Sequence, residues 1–376
     1  MKSKLNYILP QLEKIKKENL YRRLRFGCVE KAFIIINKKK LLNLCSNDYL
    51  GIPTTKLPLK QMQSSSRLVS GNDASFEILE KKLAKHKSQQ GALIFSSGYM
   101  ANLGSITTII KKNDLILSDE FNHASIIESC KLAGARVLVY KHNNIDELNS
   151  KLKQKNKRKF IITEGIFSMD GDFANLKQIT ETAEKKNAIT ILDDAHGDFT
   201  VGQDGKGSAN HFGVSKKIDL YISSLSKGLG SFGGYITSQK ELIDLCINKS
   251  KSFIYTSALP STLVEYSLNR FNSDREKYRK KLGTNIRHLS SGLKKLGYEI
   301  NSQTHIIPII IGKEKTTLDF GRYLFERGIY SQPIRFPTVP KNKARIRISV
   351  TSWFSKNQIE KILDVFDSAG QRFKMF

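Results

Sequence analysis

Residues Tyr221–Gly234 read YISSLSKGLGSFGG, and the rest of the chain is ordered around them. Leu220–Ile222 is a short apolar run of the kind that forms a buried strand. It ends in small hydroxyl residues, Ser223 and Ser224. One lysine, Lys227, follows among Gly228, Gly230, Gly233 and Gly234, whereas the other lysines sit in polar runs. A lysine at a strand's end, with no bulky side chain beside it, is open to a small electrophile. Partial desolvation then frees its amine to form a Schiff base. Taken alone, the stretch reads first as a surface loop with one solvated lysine. Gly228-Leu-Gly230-Ser-Phe-Gly233 also matches the G-x-G-x-x-G dinucleotide fingerprint, but it stands mid-chain rather than in an opening βαβ unit, so a nicotinamide site is set aside.

A chain of 376 residues is long enough for a large core and two or three sub-domains. No apolar run approaches the roughly 20 residues of a membrane span. The opening MKSKLNYILPQLEKIKKENL has scattered charges, unlike a signal peptide. It reads as an amphipathic helix with Leu5, Ile8, Leu12 and Ile15 on one side. Cys28, Cys45, Cys130 and Cys246 are far apart and lack zinc spacing. Reduced thiols, a cytoplasmic location and no metal site are expected. The net charge of +27 raises nucleic-acid binding. The densest basic run, Lys151–Lys159, has no aromatic interleaving and reads as a solvated loop or helix end. The expected partners are small molecules, with neither nucleic acid nor membrane. A basic surface also suits polyanionic substrates such as a phosphorylated thioester carrier.

Phe33–Ile36 and Leu41–Leu44, separated by Asn37–Lys40, read as a hairpin. Phe76–His86 reads as a helix. From residue 91, short β-rich runs alternate with helical stretches: Ala92–Phe95, Leu115–Leu117, Arg136–Tyr140, Phe160–Ile162, Ala188–Leu192, Leu220–Ile222 and Tyr235–Thr237. Seven such strands predict an α/β fold, a mostly parallel sheet covered on both faces. Beyond residue 260 the pattern changes. A long helical region precedes a strand at Ile306–Ile311, a helix around Leu318–Arg327 and a strand at Arg345–Val350. Ser355-x-x-Gln358 is a capping box for a last helix with Ile359, Ile362, Leu363 and Phe366 on one face. The expected organisation is an N-terminal helix and hairpin segment (1–50), a large α/β domain (51–260) and a smaller C-terminal α+β domain (261–376).

Functional groups of open α/β sheets lie past the carboxyl ends of the strands. There the sequence supplies Ser96-Ser97-Gly98-Tyr99, then Asn122-His123-Ala124-Ser125, Glu164 through Ser168 to Asp172, Asp193-Asp194-Ala195-His196, and Lys227. Each has a plain structural reading as a cap or a satisfied core residue. Together they are the parts of a pyridoxal phosphate site. The lysine holds the aldehyde as an imine, Asp193 after its apolar strand keeps the pyridine nitrogen protonated, a flat ring covers the cofactor, and hydroxyl and N–H groups at a helix N-terminus take the phosphate.

The chain resembles the α-oxoamine synthases, a family of fold-type I pyridoxal-phosphate enzymes. The resemblance is carried by CSNDYLG (45–51), SRLVSGN (66–72), FSSGYMANLG (95–104), DEFNHASI (119–126), EGIFSMDGD (164–172), LDDAHG (192–197), SSLSKGLG (223–230), THIIPIIIG (304–312), PIRFPTVP (333–340) and ARIRIS (344–349). It implies that Lys227 forms the imine, His123 stacks on the ring, Asp193 pairs with the ring nitrogen, and Ser168 and His196 bond the phenolic oxygen. It sets Ser97, Gly98, Tyr99 and Ser224 at the phosphate, Ser224 standing where Thr is usual. Thr256 and Ser257 match a segment reaching the phosphate of a neighbouring subunit, which implies a homodimer. Arg347 matches the residue that binds the amino-acid carboxylate, with Asn47 in the same pocket. Arg22 and Arg23 fall on the acyl-substrate side, and Thr338 is among the implied substrate-binding residues. Phe76 and Phe354 stand where the family often has His, and Tyr21 replaces an arginine.

The implied reaction is a decarboxylating condensation of L-alanine with a pimeloyl thioester, carried on CoA or acyl carrier protein. The alternatives are glycine with acetyl-CoA, another member of the family or, remotely, a non-catalytic basic nucleic-acid-binding protein on this fold.

Overall fold

A computed structural model describes residues 4–53, 56–57, 61 and 64–376. The chain divides into two compact units. The first comprises Met1–Ser46, Met169–Gly171 and Lys281–Phe376; the second comprises Asn47–Ser168 and Asp172–Lys280.

In the first unit, α1 (Leu9–Lys17) precedes a meander of β1 (Cys28–Glu30), β2 (Phe33–Ile36) and β3 (Lys39–Asn43). The β2–β3 turn is Asn37-Lys38, both at positive φ (48° and 64°), the two-residue geometry whose twist matches the flanking strands. The apolar residues of α1 remain exposed: Leu9, Leu12 and Ile15 all face solvent.

The second unit is built on a seven-stranded sheet. Its strands are β4 (Gly91–Phe95), β5 (Leu115–Asp119), β6 (Arg136–Tyr140), β7 (Lys159–Glu164), β8 (Ile189–Asp193), β9 (Leu220–Ser224) and β10 (Gly234–Ser238). Their order is β4-β10-β9-β8-β7-β5-β6. Neighbours from β9 to β6 pair in parallel, and β10 is antiparallel to both β4 and β9. All seven runs anticipated as strands are therefore strands of one sheet. Alternate residues enter two cores, as the period of two requires. Ile116, Ile162, Ile191 and Ile222 pack on one face. Leu117, Ile161, Leu192 and Tyr221 pack on the other. Around the sheet stand α2 (Ala74–Lys87), α3 (Gly98–Ile109) and α4 (Ala124–Ala133).

The rest of the first unit contains β11 (Ile306–Gly312), β12 (Ile329–Tyr330), β13 (Pro333–Ile334) and β14 (Ala344–Ser349). β12 adds in parallel to β3, so the N-terminal hairpin shares a sheet with the C-terminal part. That pairing joins the N-terminal segment to the C-terminal part in one unit. The closing helix, Lys356–Phe373, has both bonds of the Ser355–Gln358 capping box, and buries Ile359, Ile362 and Phe366. Among the described residues no helix is long and apolar enough to cross a membrane.

Candidate active site

The parallel strands β5, β7, β8 and β9 bring their carboxyl ends to one edge of the second unit. Glu164 and Asp193 are directly paired there, and Asp193 is paired with Ile222. Lys227 follows β9 within the loop that returns as β10. Its Nζ lies 2.9 Å from His196 Nε2. His196 Nδ1 lies 2.7 Å from the hydroxyl of Tyr49, which donates to Asn47 Oδ1 at 3.0 Å.

The Asp193 carboxylate is held from two sides. Oδ1 accepts the Ala195 N–H at 3.0 Å, and Oδ2 accepts the Asn102 amide at 2.7 Å. Asn102 also donates to Ser125 Oγ at 3.0 Å, and Ser125 Oγ lies 2.8 Å from Nδ1 of His123, the N-cap of α4. One chain of polar groups, buried at Asp193, Asn102 and Ser125, therefore orients both the carboxylate and the imidazole. Burial lowers the pKa of His123 against the pull of Asp193, with the Lys227 charge adding, which favours the uncharged imidazole.

Glu164 is enclosed beside this pair. Burial and then the charge of Asp193 push its carboxyl up to about 8, against the pull of Lys227 and of the His123 and Ser168 amides. Its protonated form is thereby favoured. Its Oε1 is buried with no hydrogen-bond partner.

A second feature lies where β4, β9 and β10 meet. Ser97 caps α3, its Oγ accepting the Met100 N–H at 3.2 Å, and Gly98 and Tyr99 open the helix. A Cβ on Gly234 would stand 2.4 Å from Gly98 N and Ser97 O, and a Cβ on Gly98 would stand 3.2 Å from Ser224 Cβ. Only glycine lets β10 pass this close to the turn. The result is a small cradle of helix N-terminus and hydroxyls, the chemistry that binds a phosphate. Together with an oriented carboxylate and a lysine, it fits pyridoxal phosphate.

The layer behind the lysine is ionic. Lys87 Nζ lies 2.7 Å from Asp198 and 3.2 Å from Asp194, all three side chains being buried. Asp198 also accepts from Ser223 Oγ at 2.8 Å and from Tyr235, and pairs with His86 at 3.1 Å. Burial works against the charge of Asp198, but Lys87 and His86 hold it well below the usual carboxylate range. Burial, with Asp198 beside it, pushes Asp194 up to about 6 against the pull of Lys87. Farther along the edge, His142 bridges Asp119 (3.0 Å) and Asp172 (2.7 Å) while stacked on Phe121. Burial opposes its charge, but the two carboxylates raise its pKa to about 10.

Of the residues anticipated from sequence, Asn47, Ser97, Gly98, Tyr99, His123, Ser168, Asp193, His196, Ser224, Lys227, Thr256 and Ser257 belong to this unit. Thr256 and Ser257 line a small cleft with Arg67, Phe76 and Ser96. Arg22, Arg23, Thr338 and Arg347 belong to the other unit. Arg347 is nearly buried on β14 and donates to Ser349 Oγ at 2.8 Å, whereas Arg22, Arg23 and Thr338 are exposed. Phe76 is wholly buried beneath the Arg67 guanidinium, 4.2 Å from its ring centroid, and Phe354 is a wholly buried core residue. Tyr49, Asn102, Ser125 and Glu164 had no role assigned from sequence, although all four lie within the quoted CSNDYLG, FSSGYMANLG, DEFNHASI and EGIFSMDGD motifs, and Ser125 and Glu164 within the strand-end groups.

The fold and the lysine-bearing strand edge are those of the aminotransferase class I and II family, whose model matches residues 39–366; the chain belongs to that family. Within it, the 8-amino-7-oxononanoate synthase of Thermoanaerobacter pseudethanolicus is 39% identical, over 99% of this chain and 98% of the relative. The protein of the same description from Fervidobacterium nodosum is 38% identical over 96% and 97%. Among solved structures, Sphingomonas wittichii serine palmitoyltransferase superposes with a TM-score of 0.92 at 26% identity, covering 100% of both chains. An 8-amino-7-oxononanoate synthase from Francisella tularensis gives 0.75 at 26%, covering 88% of this chain and 98% of that one.

Proposed function

We propose that the protein is a pyridoxal-phosphate-dependent acyltransferase that condenses L-alanine with a pimeloyl thioester. It releases the thiol carrier and CO₂ and forms 8-amino-7-oxononanoate for biotin synthesis. The observation that carries this reading is the Lys227–His196 contact at the same strand edge as the Asn102-held Asp193, in a chain so close to the 8-amino-7-oxononanoate synthases.

When bound, the cofactor supplies an electron sink for the amino acid's Cα. The protein's residues do the rest. Lys227 would hold the aldehyde and, once released, its amine would remove the Cα proton and later return one. Asp193 would hold the ring nitrogen and keep its proton there. His123 would cover the ring face. Ser168 and His196 would take the phenolic oxygen. Ser97, Gly98, Tyr99 and Ser224 would bind the phosphate, and Thr256 and Ser257 would serve a neighbouring subunit's phosphate in a homodimer. The Arg347 fork and Asn47 hold the alanine carboxylate, while Arg22, Arg23 and Thr338 face the acyl chain. The reaction takes place in the cytoplasm.

The test is thiol release by protein reconstituted with pyridoxal phosphate, comparing L-alanine plus pimeloyl-CoA with glycine plus acetyl-CoA. Release with the first pair, lost in Lys227→Ala, is expected. Release with only the second pair would move the protein to a glycine-using sister enzyme. An undiminished rate in Lys227→Ala would overturn the mechanism.

A further inference from the structure

We propose that Arg270 is a positioning residue that sets the loop carrying Lys227 against the turn carrying Asn47. The inference rests on the reading of Lys227 as the reactive amine and of Asn47 as part of the amino-acid pocket. It adds a residue with no role so far.

Arg270 lies in the last turn of the helix Ser261–Asn272 and is buried, with 3% of its surface exposed. Its guanidinium bonds in three directions. Nε donates to the Leu229 carbonyl at 2.6 Å, in the loop just past Lys227. One terminal nitrogen donates to the Asp48 carboxylate at 3.1 and 3.3 Å. The other donates at 2.8 Å to the Tyr266 hydroxyl, one turn back on its own helix. Leu229, Asp48 and Arg270 all belong to the second unit.

The two segments that Arg270 joins are those that proton transfer needs in register. On one side, the Lys227 carbonyl accepts the Gly230 N–H at 2.9 Å, so the loop turns tightly where the guanidinium holds it. The same helix adds a second tie, Ser267 Oγ lying 2.7 Å from Ser231 Oγ. On the other side, Asp48 also accepts the Gly51 N–H at 3.1 Å, which fixes its turn. That turn carries Asn47 and also Tyr49, whose hydroxyl meets His196 Nδ1 at 2.7 Å. Between the two sides stands Gly230, at a φ of +66°. A Cβ there would lie 2.2 Å from Asp48 Oδ1 and 2.4 Å from an Arg270 terminal nitrogen, so only glycine lets loop and turn approach this closely. An amine that removes a Cα proton needs a fixed distance from the amino acid, and a misplacement of about 1 Å costs on the order of 10²-fold in rate. A rigid planar fork holds that distance better than a flexible ammonium.

Arg270→Lys keeps the charge but puts one nitrogen in place of the fork, so it cannot keep all three contacts. The first readout is hydrogen exchange of the full chain without cofactor, followed by peptide mass spectrometry. In Arg270→Lys, residues 225–233 and 47–51 should both exchange about tenfold faster, the scale of one lost hydrogen bond from a charged group. Strands β7 and β8 should keep native protection. The second readout uses the enzyme loaded with pyridoxal phosphate and L-alanine alone, with exchange of the alanine Cα hydrogen for solvent deuterium followed by NMR. That exchange should slow about 10–100-fold, while cofactor affinity by absorbance titration stays native. Gly230→Ala forces the same seam apart from the loop side and should give the same results. Native exchange in both segments of a folded Arg270→Lys would overturn the proposal. So would a lower melting temperature with a native Cα rate, the mark of a purely structural anchor. If Arg270→Lys does not fold, Gly230→Ala decides, and a native Cα rate in that folded variant counts against the proposal. Absence of thiol release from the unmodified protein would sink the proposed function, and exchange in the cofactor-free chain would still decide for or against the Arg270 tie.

Discussion

Lys87→Met removes the one cation between two enclosed carboxylates. In the native protein its ammonium lies 2.7 Å from Asp198 and 3.2 Å from Asp194, with all three side chains at or below 1% exposure. Methionine has similar length and no charge, so packing is nearly kept and the electrostatic consequence stands alone. Removing one partner from a buried ion pair costs about 3–5 kcal/mol, because the carboxylates stay buried without the ammonium that paired with both. For a unit of this size that is on the order of 10 °C of melting temperature. The sign with pH follows from Asp198, whose pKa is depressed. Its stabilisation is present above its unfolded pKa and is lost as pH falls through the folded one. The gap between native and variant melts should therefore be full from pH 8 down to about pH 4 and narrow as pH falls further, toward pH 2. Adding Asp198→Asn to Lys87→Met should recover part of the loss. The assay is thermal melting by circular dichroism across that range. A variant within about 2 °C of native at pH 8, less than 1 kcal/mol by the same conversion, would refute the view that this cluster is a buried ionic anchor.

Glu164→Gln imitates the neutral acid. Since burial raises the native pKa to about 8, native stability should decline as pH rises from the unfolded value near 4.5 through about 8, and the variant's should not; parallel melting curves would contradict this. His142, raised to about 10 between Asp119 and Asp172, contributes stability that is full below about pH 6.5 and fades as pH climbs through 10. His142→Gln should melt several degrees below native at pH 6, with the difference shrinking by pH 10. Gly234→Ala drives a methyl to 2.4 Å from the Gly98 amide. Titration by absorbance should show pyridoxal phosphate affinity falling about 10–100-fold if the phosphate contacts lose about 1.4–2.7 kcal/mol, and unchanged affinity would argue against the cradle.

The sheet and the lysine were legible because their signals are local. Each strand is a short apolar run, and Lys227 announces itself by its glycines. The reversal of β10 was not read, although a loop confined to residues 225–233 is too short to carry a parallel crossover. Tyr49 shows the other limit. Its partner His196 lies 147 residues away, and nothing in NDYLG says that the hydroxyl will meet an imidazole. Asn102 likewise reaches Asp193 across 91 residues. Glu164 looked like one more polar strand end; its neutrality comes from enclosure beside Asp193, which only the strand register reveals. The Phe76 and Phe354 departures also read differently in place, since one lies under Arg67 and the other in a core.

The antiparallel setting of β10 has a consequence for how the reactive amine comes to be where it is. Ser224 and Gly234 are direct partners across β9 and β10, so Lys227 rides in a closed hairpin loop, with both ends fastened by the same pair of neighbours. Closing so short a loop costs little chain entropy compared with a long crossover. The nucleophile is thereby held near the phosphate cradle by a local tether that forms with its own two strands, while the carboxylate, imidazole and phenol that surround it arrive from distant parts of the chain.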